Sequence, residues 1–247
     1  HIFMMRNILV LLAFVIGNAQ AQENTKDPII FLAPHYNFHI PSWDLAKQYG
    51  MFSSIGLEGL RINSSNLVYG IGVDFIAGGT IKDTNLLSHL EDERGYIITE
   101  DGKVAEILLY QRGYNLQLKG GYFKPLSSPS SGLLALGGIG FTQYKTKIDV
   151  RDDNVPALNS EHIKMYDHLT NGLNTSGFLG YLHINEKNRF HFYAGIEMHR
   201  AFTYNRRSYN YSSNGAEKQL RNDFSTSLKI GWIIPISKRS TTEYYYY

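Results

Sequence analysis

Residues 66–75 read NLVYGIGVDF, and they alternate with a period of two. Leu67, Tyr69, Ile71, Val73 and Phe75 fall on one face; Val68, Gly70, Gly72 and Asp74 fall on the other. That period belongs to a strand with two unlike faces, not to a helix. RFHFYAGIEM (189–198) and DFSTSLKIGWII (223–234) repeat the pattern. In the first, Phe190, Phe192, Ala194, Ile196 and Met198 oppose His191, Tyr193, Gly195 and Glu197. In the second, Phe224, Thr226, Leu228, Ile230, Trp232 and Ile234 oppose Asp223, Ser225, Ser227, Lys229 and Gly231. Eight such stretches occur, over residues 29–41, 51–62, 67–79, 104–123, 133–148, 175–184, 189–204 and 222–235. Most have the length a tilted strand needs to cross a bilayer, and the fourth is long enough to project beyond it.

The connections alternate in length. Those after strands two, four and six are short: NSSN, KPLSSPSSG and NEKN. Those after strands three, five and seven are long, near 80–103, 149–174 and 205–221, and the first, SWDLAKQYG, is intermediate. Short turns at one end and long loops at the other mark an outer-membrane barrel. The expected fold is all-β: an eight-stranded antiparallel up-and-down transmembrane β-barrel with long extracellular loops and a short C-terminal tail. Large aromatics dominate the apolar face and glycines the polar face, which favours the apolar face turned outward to lipid. Eight strands leave a lumen that side chains fill, so a plugged barrel is expected rather than an open pore.

The first residues point to export. Arg6 precedes the apolar run Ile8–Gly17, and Ala19 and Ala21 give an A-x-A site. Residues 1–21 read as a secretory signal peptide, with residues 1–3 upstream of the true start at Met4 or Met5. The run is too short for a spanning helix. Residues 22–28 then form a short periplasmic segment, 29–235 the barrel and 236–247 a tyrosine-rich periplasmic tail, with the chain resident in the outer membrane. Net charge is +2 and there is no cysteine. The balance argues against a nucleic-acid partner, and the missing thiols exclude disulfides and thiolate chemistry. There is no P-loop and no G-x-S-x-G, and Gly137–Gly140 lies in a strand without completing a dinucleotide fingerprint. No cofactor and no catalytic residue is expected.

Parity places Glu58, Asp74, Lys119, Glu197, Asp223 and Lys229 in the lumen, where buried charges need partners. His35, His39, His183, His191 and His199 fall on expected inward positions too, and imidazole is a common metal ligand. His35 and His39 are four residues apart on one strand, roughly 13 Å, too far for one ion. Hydrogen-bonded filler is the better reading, and no metal is expected. In the long loop NSEHIKMYDHLTNG, a helical turn is expected from Glu161 to Asn171, with Ser160 and Gly172 as its ends. Tyr166, Asp167, Thr170 and Asn171 there offer a candidate partner surface, and a self-packed lid is the alternative. Asp149, Asp152 and Asp153 form an acidic run without an EF-hand pattern. Arg206 and Arg207, beside Tyr204 and Tyr209, are candidate contacts to lipid phosphates at the outer rim. Tyr244, Tyr245, Tyr246 and Tyr247 suit either an interfacial anchor or a docking peptide.

In order, DLAKQYG, GVDFIAGG, YQRGYNLQLKGGYF, KMYDHLTNG, FYAGIE, FTYNRRSYN, GWIIPISKR and EYYYY resemble a family of outer-membrane proteins from Bacteroidota. The likeness spans nearly the whole mature chain. It implies an outer-membrane β-barrel and brings no catalytic residues. By analogy with small barrels of that phylum it implies an accessory subunit of larger assemblies for secretion or barrel insertion. The expected partners are therefore outer-membrane lipid and other outer-membrane or periplasmic proteins. The alternatives are an enzyme modifying lipid A, which needs a serine or histidine facing the outer leaflet, and a narrow channel for small solutes.

Overall fold

The computed structural model describes residues 28–83, 86–128, 131–151, 155–159, 162–184, 190–209, 215 and 219–236. Its strands are β1 (Ile29–Ser42), β2 (Phe52–Ile62), β3 (Leu67–Gly78), β4 (Glu106–Ser128), β5 (Ser131–Arg151), β6 (Thr170–His183), β7 (Phe192–Asn205) and β8 (Arg221–Trp232). A two-residue piece, β9 (Ile234–Pro235), continues β8 along the same edge of β1. Each strand pairs antiparallel with the next, and β1 pairs with both β2 and β8. The sheet thus closes on itself with eight positions in the ring and no free edge, which is what a strand protein needs in lipid.

The side chains alternate around this ring as their period dictates. Ile71, Leu118, Ile139, Leu179 and Leu228 point outward and are each more than half exposed, while Glu58, Asp74, Lys119, Glu197 and Lys229 point inward and are buried. Soluble proteins do not expose a continuous apolar girdle around a charged interior. The fold is an eight-stranded antiparallel up-and-down transmembrane β-barrel.

Strand boundaries depart from expectation most clearly in two places. β6 starts at Thr170, five residues early, because its ladder with β5 runs on to Tyr144↔Thr170. Asn171 and Gly172 therefore lie in a strand rather than at a helix end. The helical structure described in that loop is two 3₁₀ turns, over Pro156–Leu158 and His162–Met165, and Ser160 and Glu161 lie outside the described residues. β5, at 21 residues, is nearly as long as β4, at 23, and beyond Gln111 and Tyr144 these two pair only with each other, as a projecting hairpin. Leu86, Leu87, Val155, Leu158 and Tyr166 pack on that hairpin around Ile148.

The first connection holds a six-residue helix, α1 (Trp43–Gln48), that the sequence reading missed. It is too short to show a helical period. Lys47 bridges to Asp44 at 2.8 Å, and Asp44 Oδ2 accepts from the Asn222 N–H at 2.9 Å. These contacts pin the helix over the mouth of the barrel. The expected signal peptide and most of the C-terminal tail lie outside the described residues.

Candidate functional site in the barrel lumen

The lumen is layered. At the turn end, Phe31, Leu60, Val68, Phe123, Leu134 and Leu182 form an apolar plug with Phe178 and Tyr193. The expectation of a lumen of glycines and charges fails here. A closed eight-stranded barrel excludes water from its interior, so apolar side chains fill it as readily as paired charges do. Tyr193 stands edge-on to Phe178, ring centroids 5.6 Å apart, and its hydroxyl donates to Glu58 Oε2 at 2.8 Å. The plug is thereby tied to the charged layer above it.

That layer is a tetrad from four strands. Lys119 Nζ on β4 lies 2.5 Å from Glu58 Oε1 on β2 and 2.6 Å from Glu197 Oε1 on β7. Lys229 Nζ on β8 bonds Glu58 Oε1 as well, and lies 3.1 Å from Glu197 Oε2. Two ammoniums and two carboxylates alternate, the charges cancel, and each lysine serves both acids. Glycine makes the room: a Cβ on Gly72 would stand 3.1 Å from Glu58 Cγ. Each carboxylate is bonded to both lysines, so the tetrad braces the barrel across its width and leaves no spare base.

Above it, Asp74 Oδ1 meets His35 Nε2 at 2.7 Å and accepts from Asn37 Nδ2 at 3.1 Å. His35 Nδ1 is 3.2 Å from the Ala33 carbonyl, so both ring nitrogens are engaged. A Cβ on Gly56 would lie 2.6 Å from Asp74 Oδ1, which explains glycine there. Asn115, Asn174, Gln117 and Ser176 carry the hydrogen bonds across to β6. Their inward parity was visible in the sequence, but attention to charges passed over the amides.

Higher still, the His39 ring stacks on Phe52 with centroids 4.5 Å apart and stands 5.5 Å from His199. His39 Nε2 is 3.0 Å from Ser54 Oγ. These rings border a cavity of about 50 Å³, shared with Leu45, Gln111 and Asp223. His39 Nδ1, His199 Nε2 and Gln111 Oε1 are buried there without a protein hydrogen bond. His199 Nε2 lies 3.3 Å from Glu197 Oε2, near but out of hydrogen-bond alignment. Among the described residues no three metal-ligating side chains converge.

The lid closes the top. Leu45 and Tyr49 of the first connection pack on Phe52, Ile76 and Tyr144. Burial pushes the Tyr49 phenol well above its ordinary pKa, and its hydroxyl shares a hydrogen with Thr146 Oγ1 at 3.1 Å. Asp223 belongs to this lid layer rather than to the tetrad. It accepts from Tyr144, from Thr203 at 2.6 Å and from Arg221 at 3.3 Å.

The histidines divide. His35 and His39 are inward and buried. His183 is not: it pairs opposite Phe192 on the outward parity of β6, one residue past buried Leu182. One step of register separates lumen from exterior. His191 precedes β7 at the turn end and is partly exposed.

The loop residues also move. Tyr166, Asp167 and Thr170 are buried, so they do not offer a partner surface; the self-packed alternative describes them. Asp167 receives a two-pronged contact from Arg207, at 2.7 and 2.5 Å, which holds the guanidinium pKa above its usual value. Arg207 is thus engaged within the protein rather than presented to lipid. Arg206 is exposed, with its Nε 2.5 Å from Asn171 Oδ1 and its guanidinium 5.9 Å from the Tyr204 ring. Asp149 lies 3.9 Å from Lys147, while Asp152, Asp153 and Tyr244 to Tyr247 lie outside the described residues.

No family model matches this chain, and no curated protein does. Among solved structures, Neisserial surface protein A is similar at a TM-score of 0.44 and 10% identity, over 83% of this chain and 96% of that one. Ail, the attachment invasion locus protein of Yersinia pestis, solved with the heparin analogue sucrose octasulfate, gives 0.41 and 10%, over 85% of this chain and 100% of that one. The N-terminal β-barrel domain of Pseudomonas aeruginosa OprF gives 0.36 and 8%, over 83% and 97%. Likenesses this distant bear on neither ligand nor role, and the architecture stands on the ring of strands itself.

Proposed function

We propose that this chain is an integral outer-membrane protein that acts as a non-enzymatic structural or accessory subunit of an outer-membrane assembly for secretion or barrel insertion. The observation that carries the reading is the combination of an apolar girdle with a lumen filled from end to end. Plug, tetrad, amide layer and lid fill the lumen among the described residues, with a small cavity beside His39 and His199. A conducting channel needs a continuous polar path, which this packing does not offer. A lipid-modifying enzyme needs its base toward the outer leaflet, whereas His35 and His39 are buried inside, both nitrogens of His35 are engaged, and the outward His183 lies at the turn end. What remains presented outward is the loop-end superstructure on the β4–β5 hairpin, a packed platform suited to holding a partner.

The test is affinity purification of a loop-tagged copy from native outer membranes in mild detergent, with mass spectrometry of what co-elutes. A stoichiometric outer-membrane partner is the expected result. A chain that fractionates with the outer membrane, is abundant there and still elutes alone refutes the subunit reading.

A further inference from the structure

The lipid-facing side of β4 runs Tyr122, Gly120, Leu118, Leu116, Tyr114, Arg112 toward the loop end. From Tyr122 to Tyr114 a tilted strand rises roughly 21 Å, close to the ~25 Å apolar band that aromatic girdles bound in such barrels. Arg112 is the next outward residue beyond Tyr114, at the level where head groups begin. Lys145 stands directly opposite it across the β4–β5 ladder. Like charges placed opposite one another on one face destabilise a sheet, so this pair calls for an anion.

The protein supplies little of one. Arg112 Nη1 donates to its own neighbour's carbonyl, Gln111 O, at 2.9 Å, and the guanidinium lies 4.9 Å from the Tyr110 ring. Among the described residues it has no carboxylate in ion-pair reach. Lys145 reaches Asp167 only at 3.7 Å, and that carboxylate is already held by Arg207. Lys147 follows on the same face, two residues on, and is exposed.

We propose that Arg112 and Lys145 form a binding site for the phosphate of a lipid head group in the loop-side leaflet. The site lies on the lipid-facing wall just past the aromatic boundary, where a lipid phosphate arrives already at the right depth. A guanidinium offers two parallel donors to phosphate oxygens, and the lysine adds a point charge. This rests on the membrane reading above.

The test uses the full chain in detergent micelles, with native mass spectrometry of adducts with phosphorylated lipid A. Dephosphorylated lipid A and inorganic phosphate are run in parallel. The wild-type protein is expected to hold the phosphorylated lipid at least about tenfold more tightly than its dephosphorylated form. Arg112→Gln with Lys145→Gln should remove that preference, and Arg61→Gln at the opposite rim should leave it. Equal binding of the two lipids by the wild-type protein overturns the proposal without recourse to any variant. So does a double variant that keeps the preference, or displacement of the lipid by inorganic phosphate at equal concentration, which would mark a free-anion site. Alkaline extraction of membranes separates the two failures. A chain released by the wash refutes the membrane reading itself; a chain that stays, with no preference for phosphate, refutes this site alone.

Discussion

Replacing Lys229 with methionine keeps the bulk of the side chain and removes one of the four charges of the tetrad. Lys229 contacts both Glu58 and Glu197, and neither side of these pairs exceeds 1% side-chain exposure. Lys119 would then face two carboxylates alone, leaving one net negative charge where water cannot enter. Breaking a buried pair by deleting one partner costs about 3–5 kcal/mol, and the 5.9 Å approach of Lys229 Nζ to the Phe178 and Tyr193 rings is lost as well. At ~1.4 kcal/mol per decade, the folding equilibrium should fall at least a hundredfold. Combining Lys229→Met with Glu197→Gln restores neutrality and leaves Lys119 paired with Glu58. The double variant is therefore predicted to be more stable than Lys229→Met alone, although it carries one more change. Urea unfolding in lipid vesicles, followed by tryptophan fluorescence, measures all three proteins. A loss below about 1 kcal/mol for Lys229→Met, or a double variant no better than the single, refutes the idea that charge balance in the tetrad braces the barrel.

Three further outcomes follow from other parts of the molecule. Leu118→Arg, in the middle of the apolar girdle, should cost about 2–4 kcal/mol in the same vesicle assay; a change within ~0.5 kcal/mol, as on a water-facing surface, would refute the outward girdle. Asp44 is held below its ordinary pKa of 3.8, first by the Lys47 hydrogen bond and then by the Asn222 N–H. A lowered carboxylate stabilises above its unfolded value and loses that stabilisation as pH falls through the folded one. The α1 lid should therefore loosen only below pH ~4, read as faster amide exchange at Leu45 and Tyr49, and Asp44→Asn should reproduce the loosening at neutral pH. Finally, Arg207→Ala should speed proteolysis within 155–169 while leaving barrel unfolding nearly unchanged, because the Asp167 contact anchors a loop outside the ladder; equal effects on both would show that the loop and barrel unfold together.

The period of two by itself determines that the chain is all-β, with eight strands that each carry two unlike faces. Side-chain direction in a strand depends only on parity, so the sequence alone puts Glu58, Asp74, Lys119, Glu197 and Lys229 on the polar faces, and the closed ring turns those faces inward. Turn length, a local property, fixed which strands are neighbours. Parity does not say which face turns inward: at the turn end of β6 the inward face is the apolar one, with Phe178 and Leu182, so His183 stands outside. Three features needed the closed ring. Whether inward residues meet depends on the stagger between strands, which brought Lys119 and Lys229 to the same two glutamates but left Asp223 with the lid. A six-residue helix has too few turns to show a period, so α1 exists by its contacts with β8. The loop residues Tyr166, Asp167, Thr170 and Arg207 look like a surface along the chain and are mostly buried in three dimensions. Tyr166 packs around Ile148 of the β4–β5 hairpin, Asp167 holds Arg207 and Thr170 pairs with Tyr144, and contacts between segments far apart in sequence leave no local trace.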